Sequence, residues 1–138
     1  MSKFLFRTFV LLGLLFSSLA HAGDRGTLEE AKAMSLRAAD LLRQEDRTRR
    51  FPFSMTRLVH YDNTGLNVAH GANAALIGKQ LIDLKDTDGK PLIRELVSVE
   101  DQGFVEYKSP NPITKKIEQK ATYVVRVGEY LVGVGTYK

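Results

Sequence analysis

The sequence predicts an α+β domain, a five-stranded antiparallel sheet with an N-terminal helix and a connector helix packed on one side of it. Three observations predict it. Ala31, Met34, Ala38, Leu41 and Leu42 recur at mostly three- and four-residue steps, the period of a helix with one apolar face. The last third is strand-rich: residues 104–109 alternate, residues 117–127 form a long strand-like run, and Gly128-Glu129 turns it into residues 130–137. Between these parts, two short strand-like runs flank an Asn63-Thr64-Gly65 turn and lead into a glycine-punctuated connector.

In chain order, residues 1–22 read as a secretory signal peptide. Lys3 and Arg7 form a basic start, residues 9–15 give most of a short apolar run, and Ala20-His21-Ala22 is a cleavage signal before Gly23. An uncleaved anchor is the alternative, but the apolar run is shorter than the ~20 residues a membrane span needs. Residues 23–138 then form a single domain. Cleavage takes the formal charge from +4 to +2 by removing Lys3 and Arg7, so charge gives no reason to expect nucleic acid as a partner. The chain has no Cys, which excludes disulfides and thiol chemistry.

The first helix is expected over residues 27–43, with Thr27 and Glu30 as its capping box. It packs on the sheet or, alternatively, faces a partner copy. The basic run 43–50 reads as a solvated helix end rather than an anion-binding patch, since no aromatic residues interleave with its charges. Phe51-Pro52-Phe53 breaks that helix. Strands are expected over 55–61 and 66–70. In the connector, Gly71, Gly78 and Gly89 are places where φ > 0 allows a tight bend. Pro91 sits near the first turn of a second helix over about 92–99. In the final strand Leu131, Gly133, Gly135 and Tyr137 share a face, and the two glycines leave room for a helix or ligand.

Several motifs carry a resemblance. They are Ala69 to Asn73, Gly78 to Leu81, Asp83 to Gly89, Val105-Glu106-Tyr107-Lys108, Pro110-Asn111-Pro112, Lys120-Ala121-Thr122-Tyr123-Val124 and the last seven residues, 132–138. In this order and spacing the chain resembles single Cache extracytoplasmic sensor domains, from about residue 62 to the C-terminus and in the first helix. The resemblance implies a PAS-like sheet and a sensor that binds short carboxylates. Residues 44–54 are shorter than the matching segment of relatives, which helps cover the sheet and ligand. Ser109 stands where many relatives carry Trp.

No catalytic constellation is present, and the expected reading is not an enzyme. His60 and His70 lack metal-ligand spacing, and Gly133-Val134-Gly135 lacks the rest of a dinucleotide fingerprint. Asp83, Asp86 and Asp88 lack a full calcium-loop pattern and read as caps. No metal or cofactor is expected. The resemblance places Tyr107, Lys120 and Tyr123 at cavity-facing positions, with His60, His70 and Arg57 as further candidates. A Lys or Arg pairs with a carboxylate, and a Tyr supplies a wall and a hydroxyl donor. Strand packing for the tyrosines, a solvent-facing lysine and structural histidines are the alternatives. The function implied is a stand-alone periplasmic or secreted module that binds a small organic acid and signals through a membrane receptor or kinase. The alternative is a structural or protein-interaction module with a degenerate pocket.

Overall fold

The computed structural model describes residues 26–44 and 57–138. The expected signal peptide, the run 45–50, Phe51-Pro52-Phe53 and nearly all of the segment expected to be shortened lie outside those residues. The elements are α1 (Leu28–Gln44), β1 (Leu58–Asp62), β2 (Asn67–His70), a 3-10 turn (Ala74–Leu76), α2 (Leu92–Val97), β3 (Gln102–Pro110), β4 (Ile117–Val127) and β5 (Tyr130–Tyr137). The strands form one PAS-like antiparallel sheet in the order β2-β1-β5-β4-β3.

The capping box forms as the sequence predicts. Thr27 N–H donates to Glu30 Oε2 at 2.7 Å, and Glu30 N–H donates to Thr27 Oγ1 at 3.1 Å. Small side chains then let α1 lie close on the sheet: Ala31, Ser35, Ala38 and Ala39 are its buried residues. They pack on Leu58, Tyr123, Val125, Val132 and Val134.

The helices do not share one side of the sheet. α2 and the connector cover the opposite face, where Ile93, Leu96, Leu81 and Ile82 meet Val59, Tyr61, Val105, Tyr107, Val124 and Leu131. The reason is visible in the central strands. Val124-Val125 and Leu131-Val132 are consecutive apolar pairs, so both alternations of β4 and β5 need cover.

The connector crosses that second face from one sheet edge to the other. At the β2 edge, Gly78 N–H donates to Asn67 C=O at 2.8 Å and Asn67 N–H to Lys79 C=O at 3.0 Å. At the β3 edge, Asp86 accepts from Lys108 N–H at 3.0 Å, while Lys90 Nζ donates to Glu106 C=O. Both exposed edges are thereby occupied. Asp86 also accepts from Asp88 N–H and Lys90 N–H, each at 2.9 Å, so it caps the connector as expected, whereas Asp83 and Asp88 pair with Arg94 and Lys108 and no side chain caps α2. Gly78 and Gly89 adopt φ of 79° and 82°; Gly71 is not among the positive-φ residues.

Candidate functional site

Period-two alternation assigns side chains to the connector face. On β5 these are Leu131, Gly133, Gly135 and Tyr137, and their β4 partners are Arg126, Val124, Thr122 and Lys120. Tyr107 on β3 lies opposite Lys120. Val59 and Tyr61 on β1 lie opposite Gly133 and Leu131. The two glycines leave a trough in this face, into which the side chains of Val124, Thr122 and Lys120 lean.

A β-bulge shapes the β2 side. The β1–β2 register slips between His60 and Tyr61, so Val59 faces His70 while Tyr61 faces Asn67. Asn67 and His70, three apart in sequence, therefore lie on the same face as Val59 and Tyr61. The Asn67 side chain is buried beside Tyr61, and among the described residues neither its Oδ1 nor its Nδ2 has a partner within hydrogen-bonding geometry.

Lys120 extends over the trough. A Cβ built on Gly135 would collide with Lys120 Cε and come within 2.6 Å of Thr122 Oγ1. Lys120 Nζ lies 5.2 Å from the Tyr137 ring centroid, a cation–π arrangement. Burial, reinforced by the nearby Arg57 charge, lowers its pKa to about 8. Among the described residues no carboxylate pairs with it. The Tyr107 hydroxyl is 2.8 Å from Thr122 Oγ1. Burial pushes the Tyr107 phenol far up, so it remains a neutral donor at ordinary pH. Tyr137 closes that end, its hydroxyl donating to Pro110 C=O at 2.7 Å.

His70 stands at the β2 side. Its Nδ1 accepts from Asn73 N–H at 3.1 Å, and burial together with the Lys120 charge holds its pKa below the usual histidine value. Arg57 precedes β1, and its C=O accepts from Gly135 N–H at 3.3 Å. Its guanidinium rests against Gly26, ahead of α1. Tyr107, Lys120 and His70 thus lie on the connector face, while the Arg57 guanidinium sits at Gly26 with its charge still felt by Lys120.

The other two sequence candidates lie on the α1 face. Tyr123 packs edge-on to Phe104, with centroids 4.8 Å apart, and Lys32 Nζ lies 5.7 Å from its ring centroid. His60 packs edge-on to Tyr130 at 5.3 Å. Burial lowers its pKa to about 4, against an opposing pull from Asp62. The sheet separates both from Lys120. Thr122, Tyr61 and Tyr137 join the connector-face group without having been singled out as ligand candidates. Two-residue steps from Lys120 and Val59 reach Thr122 and Tyr61, and Tyr137 shares its face with the two glycines.

The arrangement can hold an anion: an ammonium over backbone, a neutral phenol and a hydroxyl, all under a connector. No group of three or more metal-ligating side chains occurs among the described residues. None of their helices is long and apolar enough to cross a membrane.

Comparisons with known proteins bear on this face. The family model described as Single Cache domain 2 matches residues 23–138. The sensor histidine kinase MctS of Rhizobium johnstonii is 33% identical over 81 residues, covering 56% of this chain and 18% of the kinase. A methyl-accepting chemotaxis protein from Vibrio parahaemolyticus superimposes with TM-score 0.63 at 26% identity, covering 79% of this chain and 86% of that one. A Cache chemosensory domain, solved to show the structural basis for carboxylic acid recognition, superimposes with TM-score 0.56 at 26% identity. That match covers 80% of this chain and 78% of the other.

Proposed function

This chain belongs to the single Cache domain 2 family of extracytoplasmic sensor domains, and on that premise we propose that it binds a small organic acid, a short carboxylate, in the trough under the connector. Family members are sensor domains of chemoreceptors and histidine kinases rather than enzyme domains. The observation that carries the ligand reading is Lys120, an ammonium set over Gly135 without a carboxylate partner among the described residues. A ligand carboxylate supplies the missing counter-charge, and Tyr107 and Thr122 supply hydroxyls beside it. His70 adds a donor at the β1–β2 side, and Arg57 adds positive charge near Lys120. The similar domain solved with carboxylic acid recognition in view supports the same class.

In this reading the protein acts outside the cytoplasm after removal of residues 1–22. Occupancy changes the surface around the connector, and a membrane receptor or histidine kinase reads the altered surface. Thermal unfolding of the protein with acetate, propionate, amino acids and metal ions in turn tests it. A ligand at ~100 times its dissociation constant stabilises by roughly 2.7 kcal/mol. The expected result is a carboxylate shift that Lys120→Ala abolishes. A cooperatively folded protein without any shift would favour an interaction module with a degenerate pocket.

A further inference from the structure

His70 joins the trough to the connector. Its Nδ1 accepts from Asn73 N–H at 3.1 Å, and Asn73 caps the Ala74–Leu76 turn by accepting from Ala75 N–H at its Oδ1, also at 3.1 Å. Ile77 N–H closes the turn onto Ala74 C=O at 3.2 Å, and Gly78 then rejoins β2. One imidazole nitrogen therefore fastens the start of the connector.

Acceptance at Nδ1 fixes the chemical state of the ring. The proton resides on Nε2 and the imidazole is neutral. An imidazolium carries a proton on both nitrogens and sets Nδ1–H against Asn73 N–H, so that hydrogen bond is lost. The surroundings favour the neutral form. Burial acts first, and the charged group acting on His70 is Lys120 from β4. The β1 residue opposite is Val59, and the turn presents Ala74, Ala75 and Leu76, none of which titrates. An anion beside Lys120 offsets the Lys120 part of this balance, against the burial that still favours the neutral ring. An opposite charge within ~4–6 Å raises a base by roughly one to three pH units.

The geometry points to His70 as a proton latch on the connector, closed by the neutral ring in the empty site and opened when an anion there lets the ring take a proton from solvent. The proton adds to Nδ1, the Asn73 N–H loses its acceptor, and the 73–77 turn is released. The ligand half of this device rests on the carboxylate reading above; the proton half does not.

NMR of the whole protein tests both halves. Histidine ring ¹⁵N shifts report the tautomer, and the Asn73 amide proton reports the bond. Without ligand, His70 is expected to carry its proton on Nε2 at pH 8. On acidification the Asn73 and Ile77 amides are expected to shift with the same midpoint as the His70 ring. His70→Gln keeps an acceptor but cannot titrate, and is expected to erase that midpoint. Saturating acetate is expected to raise the wild-type midpoint by one pH unit or more. A proton on Nδ1 at pH 8, or Asn73 shifts independent of the ring, overturns the latch. Acetate that binds through Lys120 without moving the midpoint overturns its ligand control and leaves the carboxylate reading standing. If no carboxylate binds, that reading fails, and the ligand-free titration alone decides the latch.

Discussion

A buried ammonium beside another cation opposes folding, and Lys120 is such a group. Its pKa falls from 10.5 to about 8. Between those values the unfolded chain holds a proton that the folded chain has lost, so stability rises with pH across that window. Below about pH 8 both states hold the proton and the cost is present in full. Allowing for partial exposure, that cost is on the order of 2–3 kcal/mol. Lys120→Met is therefore expected to stabilise the ligand-free protein by ~1–3 kcal/mol at pH 7, with the difference fading towards pH 10.5. The same substitution is expected to abolish the response to carboxylates. Carboxylate affinity of the wild type is expected to fall about tenfold per pH unit above pH 8 as the ammonium is lost. Chemical denaturation and isothermal titration across pH 6–10 measure both; a destabilised Lys120→Met would contradict the burial argument. The residue types of the proposed site were named from the sequence, but the sides of the sheet they occupy were only partly read. Tyr123 stands three residues from Lys120 and His60 three from Arg57, odd steps that put each pair on opposite faces of a strand. The β2 bulge breaks that arithmetic for His70, and no local sequence signal announced it.

The glycines of β5 separate packing from binding within one strand. A Cβ at Gly133 would meet Val124 Cγ1 at 2.8 Å, Thr122 Cγ2 at 2.9 Å and Tyr123 C=O at 3.0 Å. Two of these belong to β-branched side chains and one is backbone, so none yields easily. A Cβ at Gly135 would meet the flexible end of Lys120 and the Thr122 hydroxyl. Gly133→Ala is thus expected to cost ~1–3 kcal/mol of stability, the range for overpacking a tight interior. Gly135→Ala is expected to cost less than that, since the Lys120 end gives way easily although the buried Thr122 hydroxyl does not, while displacing Lys120 and weakening carboxylate binding at least tenfold. Equal losses of stability in both variants would show that the trough is ordinary core. At this scale the strands were the most legible elements. β4 and β5 have the bounds that their apolar runs and the Gly128-Glu129 turn indicated, and the capping box starts α1 as its sequence implies. The placement of helices on both faces was harder to see. Lys120 and Thr122 interrupt the apolar pattern on the connector side of β4, so that face reads as half solvated until the connector is seen across it.

Across the whole molecule, the site and α1 occupy opposite faces of the same two strands, and one hydroxyl ties them together. Val134 N–H donates to Ser35 Oγ at 2.9 Å, while the Ser35 hydroxyl has Tyr123 C=O at 2.7 Å and Ala31 C=O at 2.8 Å within reach of its single proton. Val134 lies between Gly133 and Gly135, and Tyr123 follows Thr122, so α1 is fastened behind the floor of the trough. A movement of that floor on ligand binding has a short path to the helix, through backbone rather than flexible side chains. Ser35→Ala removes the fastening and leaves helix propensity unharmed. It is expected to cost about 1–3 kcal/mol, because buried backbone groups lose a partner. Carboxylate affinity is expected to change less than threefold, since Ser35 does not touch the trough. Amide exchange carries the decisive comparison. In the wild type, saturating carboxylate is expected to alter exchange in the middle of α1 as well as in β4 and β5, whereas in Ser35→Ala the change is expected to stop at the strands. If α1 responds equally in both proteins, the helix is coupled through its alanine packing and the hydroxyl serves stability alone.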